Sequence, residues 1–408
     1  MPLGLTRVES HVLRGAIELS PSCAAFCKVR RQARFAESVS RVTIESLLAE
    51  YGMERPAAIR SVKAENLIKR AGRRLERSAR ILIRGPLQHV RQWIPTRGAR
   101  IRFQPGDALV VSGSTWDTLD PVWLQEISEV QGVRLIAILA DMIPWRFPHH
   151  FHDRAAVESF LKFAAVLARH ATMVTCISRA TQSDFLQFAE SLGEPCDNTE
   201  VMFLGSDPPG KAVKPVNLPD DLNSRSFVLS VSTIQVRKNH QLLYQLWRRF
   251  AEEGRDNFPR LVLVGTQGWL TRDLRLQLES DPLVRNSIIV LNNVGDLGLN
   301  WLYQNCLFTL YPSLYEGWGL PIIESLQHGK PCIASNTSSM PEAGQNLATH
   351  LDPLDFSSWR KLILDWTTNL GALAAVTEKI RHEFKPRRWS DFSREFINRI
   401  IPQPANLE

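Results

Sequence analysis

Two glutamates eight positions apart, Glu316 and Glu324, flank a turn that is rich in glycine and proline. Gly317 and Gly319 allow the backbone to approach a ligand closely, and Pro321 suits the first turn of a helix. The free amide groups of such a turn favour an anion. Two carboxylates would repel a ligand that was only a phosphate. The spacing therefore predicts a ligand with both a phosphate and hydroxyl groups, because hydroxyls can donate to the carboxylates.

A pair of adjacent cations, Arg237 and Lys238, forms a second candidate anion site. The pair follows a short apolar run that predicts a buried strand at 227–231, and Asn239 is predicted to open a helix after it. A lone basic pair on a protein surface is usually solvated. Its place between a buried strand and a helix favours a role in binding over that alternative.

Three histidines, His149, His150 and His152, cluster after a predicted turn at Pro144. They could bind a metal ion, but no carboxylate stands at a supporting spacing and no HExxH motif is present. We therefore predict no metal site, and contact with a substrate remains an alternative role. The six cysteines are scattered, which predicts free thiols in a reducing compartment.

Strand and helix patterns alternate along the chain and place these residues. In the second half, short apolar runs separated by helical patterns predict strands at 227–231, 261–264, 287–291, 308–311 and 331–334. The first half shows the same alternation less regularly. The pattern is typical of the α/β class, with parallel sheets covered by helices on both faces.

We predict two Rossmann-like lobes that face a central crevice. Residues 1–205 would form the N-terminal lobe, and 226–380 would form the C-terminal lobe. A linker rich in Pro, Gly and Asp would join them at 206–225, and 381–408 would pack back across both lobes as a helix. Ligands of such sheets bind outside the carboxyl ends of the strands, where both candidate anion sites lie.

Residues 312–324 (PSLYEGWGLPIIE) resemble the E-x7-E signature of the retaining glycosyltransferases of family 4, which have the GT-B fold. The similarity is dense over 226–355 and patchy before 205. The further matching segments are 4–9, 140–144, 177–181, 231–239, 329–336, 339–342 and 351–353. The resemblance implies a GT-B enzyme whose donor, a nucleotide sugar, binds mainly to the C-terminal lobe, 226–380, and whose acceptor binds to the N-terminal lobe, 1–205.

The resemblance also implies a role for each matching residue. Arg237 and Lys238 would hold the donor diphosphate, which gains negative charge as the glycosidic bond breaks, and Glu316 would accept hydrogen bonds from sugar hydroxyls. Glu324 would bind the ribose, and the loop at Val294 would meet the base. The turn that would hold the sugar and phosphate consists of Gly317, Trp318, Gly319 and Leu320.

The acceptor side is less well defined. The residues assigned there are Asp141, Thr6 and Arg7, which lie in segments that match the family, and His149 from the histidine cluster. Ala140 stands where many members of the family have His, so no catalytic histidine is assigned. Asp141 is predicted either to be catalytic or to hold the turn at Pro144. Only three residues precede the Gly4 loop, so we expect a missing first strand or a misplaced start codon.

The net charge of +7 is concentrated in one segment. Residues 60–102 contain 13 Lys and Arg against two Glu, a balance of +11. Apolar residues at helical spacing within it predict a basic amphipathic helix. The segment is either a solvated insertion in the N-terminal lobe or a contact with an anionic membrane surface. Nucleic acid is disfavoured as a partner, because aromatic interleaving and known motifs are lacking.

Together these features predict a retaining enzyme that transfers a hexosyl or deoxyhexosyl group, mannosyl-like, from a nucleotide-diphosphate sugar. The acceptor would be a glycan or a lipid-linked glycan, and no metal or other cofactor is expected. The alternative is a non-catalytic GT-B-like protein that binds a sugar nucleotide or a glycan. No signal peptide or spanning segment is visible in the sequence. We therefore expect a cytoplasmic protein, either free or peripheral on the inner face of the cytoplasmic membrane.

Overall fold

The computed structural model describes residues 103–400 with short gaps, together with three N-terminal residues and two strands. The gaps are 113–115, 117, 118, 217, 220, 221, 223, 225, 256 and 257; the three residues are Val8, His11 and Val12. The backbones of β1, Phe26–Val29, and β2, Ala36–Val39, pair antiparallel. Thr6, Arg7 and the basic segment 60–102 lie outside the described residues.

Among the described residues, the N-terminal lobe has a parallel sheet of four strands that follow one another in chain order. The strands are β3 (Ala108–Val111), β4 (Arg134–Leu139), β5 (Ala171–Cys176) and β6 (Thr199–Val201). The helices are α1 (Pro121–Glu129), α2 (Ile143–Arg146), α3 (Arg154–His170) and α4 (Arg179–Ser191). Strand β4 is apolar after its first residue and buried, as expected for a strand covered on both faces.

The C-terminal lobe has a parallel sheet of six strands within the described part of the chain. The strands are β7 (Phe227–Val231), β8 (Arg260–Val264), β9 (Ile288–Leu291), β10 (Thr309–Tyr311), β11 (Cys332–Ser335) and β12 (Thr349–Leu351). Their order in the sheet is β12-β11-β10-β7-β8-β9. The chain moves outward from β7 to β9 and then returns to place β10 on the other side of β7. The strand order therefore reverses between β7 and β10, and this reversal opens a crevice for a ligand.

Helices cover both faces of the second sheet. They are α5 (His240–Glu252), α6 (Arg272–Ser280), α7 (Asp296–Asn305), α8 (Leu320–Gln327), α9 (Met340–Gly344), α10 (Phe356–Thr368) and α11 (Leu370–Glu383). Helix α5 buries the face predicted from its periodicity, including Leu243, Leu246 and Phe250. In the predicted linker, the described residues form no helix and no strand.

The last helix, α12 (Trp389–Ile400), packs against residues of the N-terminal lobe. The indole of Trp389 stacks on His11 with ring centroids 4.6 Å apart, and Ser393 Oγ donates to the His11 carbonyl at 2.8 Å. Arg134 donates to the Ile400 carbonyl at 3.1 Å. An apolar cluster combines side chains of both lobes and of α12, including Ile136, Ile138, Ile322, Leu326, Phe392 and Phe396.

A carboxylate of the C-terminal lobe caps a helix of the N-terminal lobe. Glu342, in α9, accepts hydrogen bonds from the backbone amides of Arg179 at 2.9 Å and Ala180 at 3.0 Å. These amides belong to the first turn of α4, where a negative charge is stabilised by the helix dipole. The lobes are therefore held together by polar contacts as well as by the apolar cluster.

The predicted α/β architecture of two Rossmann-like lobes is confirmed. The strand predicted at 227–231 has those bounds, and the helix predicted from Pro321 begins one residue earlier. Cys176, Cys196, Cys306 and Cys332 are free thiols. No helix among the described residues is long and apolar enough to cross a bilayer.

Candidate functional site

The loops that follow β7 and β10 meet where the strand order reverses. The first contains the short 3-10 turn Val236–Lys238, and Asn239 then adopts a left-handed conformation with φ of 55° before α5 begins. Asparagine tolerates that conformation better than most residues. The amide of Leu314, in the second loop, donates to the Arg237 carbonyl at 2.8 Å. The two loops therefore support each other.

Glu316 lies between the two predicted cations. Lys238 Nζ donates to Glu316 Oε1 at 2.5 Å, and Arg237 Nη1 lies 2.8 Å from Oε2, so each carboxylate oxygen has its own cation. The three side chains are only 8–14% exposed. Lys238 Nζ also donates to the Tyr311 hydroxyl at 3.1 Å, and Arg237 donates to the Tyr315 carbonyl. The structure thus brings the three predicted catalytic residues into one buried cluster.

Burial and charge act in opposite directions on this cluster. Burial by itself would raise the pKa of Glu316, but Arg237 and Lys238 lower that pKa to about 2. For Lys238, burial outweighs the attraction of Glu316 and lowers the pKa to about 8. One carboxylate and two cations are therefore charged at neutral pH. The remaining positive charge suits the cluster to an anionic ligand.

The turn after Glu316 is tied to the rest of its lobe by two serines. Ser338 Oγ accepts from the Glu316 amide at 2.9 Å. Ser339 Oγ lies 2.9 Å from the Glu316 carbonyl and 2.6 Å from the Trp318 carbonyl. Gly319 has a φ of 149°, which a side chain would disfavour, and α8 begins directly after it at Leu320. These bonds set the path of the turn that carries the predicted donor-binding residues.

Gly317 contacts the opposite lobe. A Cβ atom at this position would lie 2.0 Å from the Ala140 carbonyl oxygen and 2.8 Å from Asp141 Cβ. The space beside Gly317 is thus filled by the loop after β4. The indole of Trp318 is also buried between the lobes and stacks on Phe203 at 5.1 Å. In this structure both residues join the lobes, a role that the sequence analysis did not predict for them.

Glu324 and Val294 both lie beside α7. Tyr303, a buried residue of α7, donates its hydroxyl hydrogen to Glu324 Oε2 at 2.9 Å. Val294 precedes α7, and a Cβ atom at Gly298 would lie 3.0 Å from Val294 Cγ1. The structure places the predicted ribose and base positions on neighbouring elements of the C-terminal lobe.

Asp141 follows β4 at the inner edge of the N-terminal lobe. Its Oδ1 accepts from the Ile143 amide at 3.0 Å, which is the turn-holding contact that the sequence offered as one of two roles. Burial raises the pKa of Asp141, while Arg237 opposes that rise. The carboxyl group is therefore close enough to the cation cluster to interact with it electrostatically, and the catalytic alternative stays a prediction.

A cavity of about 210 Å³ lies between the lobes next to this cluster. Asp141 and His150 line it from the N-terminal lobe, and Gln235, Arg237 and Trp269 line it from the C-terminal lobe. Its aromatic wall also includes Trp116, Phe151, Phe160 and Phe163. The indole of Trp269 donates to the His150 carbonyl at 2.7 Å and joins the two sides. The cavity combines apolar rings with a carboxylate and a cation, so it can hold a molecule with apolar faces and polar edges.

A comparison with known families matches the C-terminal lobe. Residues 220–381 match the family described as glycosyl transferases group 1. We call this matched segment the group 1 domain. The resemblance to a glycosyltransferase family that was predicted from residues 312–324 is confirmed for the group 1 family, because these residues lie within the matched segment. Arg237 and Lys238 lie within it as well.

Curated relatives match parts of the chain. O-antigen chain mannosyltransferase B of Escherichia coli is 30% identical over 174 residues, which cover 43% of this chain and 45% of the relative. The serotype-specific mannosyltransferase WbdA of Escherichia coli is 25% identical over 281 residues, which cover 65% of this chain and 34% of the relative. The chain thus spans a third to somewhat under half of the length of these relatives.

Solved structures share the two-lobed fold. HepE of Anabaena, in complex with UDP and glucose, matches with a TM-score of 0.55 and 17% identity, over 72% of this chain and 77% of that one. WaaG, described as a glycosyltransferase involved in lipopolysaccharide biosynthesis, matches with a TM-score of 0.51 and 14% identity, over 69% and 82%. At these identities the likeness is one of fold, and the predicted GT-B fold is confirmed.

The two lobes differ in how the sequence-predicted residues are placed. In the group 1 domain, Arg237, Lys238 and Glu316 touch one another. On the N-terminal side, His149 is exposed and its ring faces Phe147 and His150, whereas His150 lines the cavity. Within the described residues, no group of three His, Cys, Asp or Glu is placed to hold a metal ion.

Several aromatic and polar residues that line the cavity were not predicted as site residues. Trp269 follows β8 and Gln235 follows β7, so both lie at the carboxyl ends of strands. That position was an available signal, because ligands of open α/β sheets bind at this edge. Trp116 likewise follows β3, in the sheet of the N-terminal lobe.

Proposed function

We propose that this protein is a retaining glycosyltransferase that transfers a hexosyl group, mannosyl-like, from a nucleotide-diphosphate sugar. The observation that carries the proposal is the buried cluster of Arg237, Lys238 and Glu316 at the reversal of strand order. As the glycosidic bond breaks, the leaving diphosphate gains charge, and cations already in place stabilise it without reorganisation. The group 1 match, the mannosyltransferase relatives and the fold shared with UDP-bound HepE support this assignment.

The cavity between the lobes supports the acceptor half of the proposal. Its aromatic rings can pack on the apolar faces of a sugar, and Asp141 can accept from a hydroxyl group. The acceptor is a glycan or a lipid-linked glycan. The acceptor hydroxyl attacks the anomeric carbon of the donor sugar from the same face that the diphosphate leaves. The departing phosphate takes the proton of that hydroxyl. This mechanism requires no protein nucleophile and no metal ion.

The experiment that tests the proposal is a screen of the purified protein against a panel of nucleotide sugars. Mass spectrometry would detect transfer to glycan acceptors and slow hydrolysis of the donor without an acceptor. Hydrolysis or transfer with one sugar nucleotide supports the proposal. Binding of a nucleotide sugar without either reaction would favour the non-catalytic alternative, which the alanine at position 140 also favours.

We expect the affinity for a nucleoside diphosphate to fall as the pH rises above about 8. The pKa of Lys238 is lowered to about 8 by burial, so its positive charge is complete well below that pH and is lost above it. The loss should approach tenfold per pH unit until the pKa of the complex is reached. Calorimetric titration between pH 6.5 and 9.5 measures this. Lys238→Arg keeps its charge over the range, so the same fall in that variant would contradict the assignment.

Glu324→Gln should weaken donor binding by roughly tenfold and leave turnover near normal. The amide oxygen can still accept from Tyr303, so the helix contact survives. Contacts to the ribose are equal in the ground and transition states, and their loss therefore appears in KM. Donor titration and steady-state kinetics measure both quantities, with Glu378→Gln on the exposed face of α11 as a control. Full affinity without turnover would refute the ribose role.

The basic segment is proposed to bind anionic lipid, on the strength of its sequence alone. Each basic residue near such a surface contributes about 1 kcal/mol to the free energy of membrane binding. Replacing Arg73, Arg74, Arg77 and Arg80 with Gln should therefore weaken that binding by roughly 4 kcal/mol at most. Co-sedimentation with anionic and neutral vesicles, at low and high salt, measures this because salt screens exposed charges. Absence of binding to anionic vesicles at low salt would leave the solvated insertion as the explanation.

A further inference from the structure

The residue before Glu316 makes a partly buried hydrogen bond to the opposite lobe. The Tyr315 hydroxyl donates to Asp184 Oδ2 at 2.6 Å. Tyr315 belongs to the loop after β10 in the group 1 domain, whereas Asp184 lies on α4 of the N-terminal lobe. Arg146 Nε lies 3.5 Å from the other oxygen of Asp184. A tyrosine, an aspartate and an arginine thus connect the two sides of the crevice.

This contact is partly buried, and its partners depend on each other. Asp184 is buried, and burial raises its pKa while the bond from Tyr315 lowers it. Burial also raises the pKa of Tyr315, so the phenol keeps its proton and remains the donor. The ring of Phe147 packs 4.9 Å from the Tyr315 ring. A buried carboxylate that lost its donor would carry a free-energy cost, and the pair is therefore expected to stay closed.

Tyr315 also contacts the cation cluster through its backbone. Its carbonyl accepts from Arg237, and the same guanidinium pairs with the carboxylate of Glu316 at 2.8 Å. On the other side of Glu316, Gly317 packs against the Ala140 carbonyl. The residues before and after Glu316 are thus both supported by the N-terminal lobe. The position of the Glu316 carboxylate therefore depends on these contacts between the two lobes.

We propose that Asp184 is a positioning residue that acts through Tyr315 to hold Glu316 in place when the lobes are together. This inference rests on the proposed function. The donor-binding groups Arg237, Lys238 and Glu324 belong to the group 1 domain and remain there when the bond between the lobes is lost. Loss of the hydrogen bond between Tyr315 and Asp184, which we call the tether, should therefore lower turnover more than donor affinity.

Tyr315→Phe and Asp184→Asn test this, alone and combined. Tyr315→Phe removes the donor, and we expect kcat to fall about tenfold with the donor KM changed less than threefold. Asp184→Asn should lower kcat less than Tyr315→Phe does, because the amide oxygen of the asparagine still accepts from the Tyr315 hydroxyl. Once the hydroxyl is gone, Asp184→Asn should lower kcat no further, so the double variant should match Tyr315→Phe.

The chain contains a matched control at a distance from the crevice. Tyr244 donates to Asp281 at 2.8 Å, and Arg248 Nε lies 3.1 Å from the same carboxylate oxygen, all within the C-terminal lobe. Tyr244→Phe removes a similar bond of a tyrosine, an aspartate and an arginine. We expect kcat and KM to stay near those of the unsubstituted protein.

Hydrogen exchange gives a readout that does not depend on activity. The amides of residues 314–319 should exchange faster in Tyr315→Phe than in the unsubstituted protein, and Tyr244→Phe should leave them unchanged. Unchanged kcat and exchange in Tyr315→Phe, or a double variant whose losses multiply, would overturn the positioning role. If the unsubstituted protein acted on no nucleotide sugar, the proposed function would be wrong. Hydrogen exchange would then still test whether the bond between Tyr315 and Asp184 holds the loop at 314–319.

Discussion

Replacing Lys238 with alanine should lower the rate of sugar transfer by about 10²–10³-fold, which is the usual loss for one preorganised donor to a developing anion. Lys238 Nζ is held by Glu316 at 2.5 Å and by the Tyr311 hydroxyl at 3.1 Å. Its side chain is only 11% exposed, so the ammonium group is largely shielded from water. The positive charge is therefore in position before the glycosidic bond begins to break.

Steady-state kinetics with saturating donor and acceptor would measure this loss. Lys361→Ala, which removes an exposed lysine from α10, serves as the control and should have normal kinetics. Near-normal turnover in Lys238→Ala would show that the ammonium group does not stabilise the leaving diphosphate. A loss confined to KM would mean that it binds the ground state and the transition state equally.

Glu316→Gln should separate binding from turnover. Without the carboxylate, Arg237 and Lys238 lose the anion that pairs with them at 2.8 and 2.5 Å. A nucleoside diphosphate should then bind at least as tightly as to the unsubstituted protein, because it no longer shares the cations with Glu316. Turnover should fall by at least about 10²-fold, since the charged acceptor for the sugar hydroxyls is missing where the bond breaks.

The same variant should also be less stable without a ligand. Removing one partner of a buried ion pair leaves uncompensated charge, at a cost of roughly 3 kcal/mol. A bound nucleoside diphosphate should restore much of that loss, because it binds the folded state. Thermal unfolding with and without the nucleotide, calorimetry and kinetics would measure the three effects.

The control for Glu316→Gln is Glu253→Gln. Glu253 pairs with Arg360 at 2.6 Å and with Arg249 at 3.0 Å, away from the crevice. That variant should lose some stability but should neither bind the nucleotide more tightly nor lose turnover. If Glu316→Gln bound the nucleotide weakly and turned over normally, the proposed role of the cluster would be wrong.

The fold of the C-terminal lobe could be predicted because its signals are local. Short apolar runs bounded by glycine, proline and charged residues mark five strands, and 227–231 is a strand with those bounds. The strand at 349–351 was missed. Pro321 marked a helix that begins one residue earlier, because proline favours the first turn. In the N-terminal lobe the strand at 199–201 was missed, since it is short and contains two polar residues.

The sequence by itself determined which residues have the chemistry for a phosphate and a sugar: two adjacent cations after a strand, and two glutamates around a glycine turn. Only the tertiary structure decided that Lys238 and Glu316, 78 positions apart, form one ion pair. It also decided that Tyr315 reaches Asp184, 131 positions away, and that Gly317 meets Ala140. Local propensity acts over a few residues. Contacts between lobes depend on how two separately patterned sheets and their loops pack, and no single segment encodes that packing.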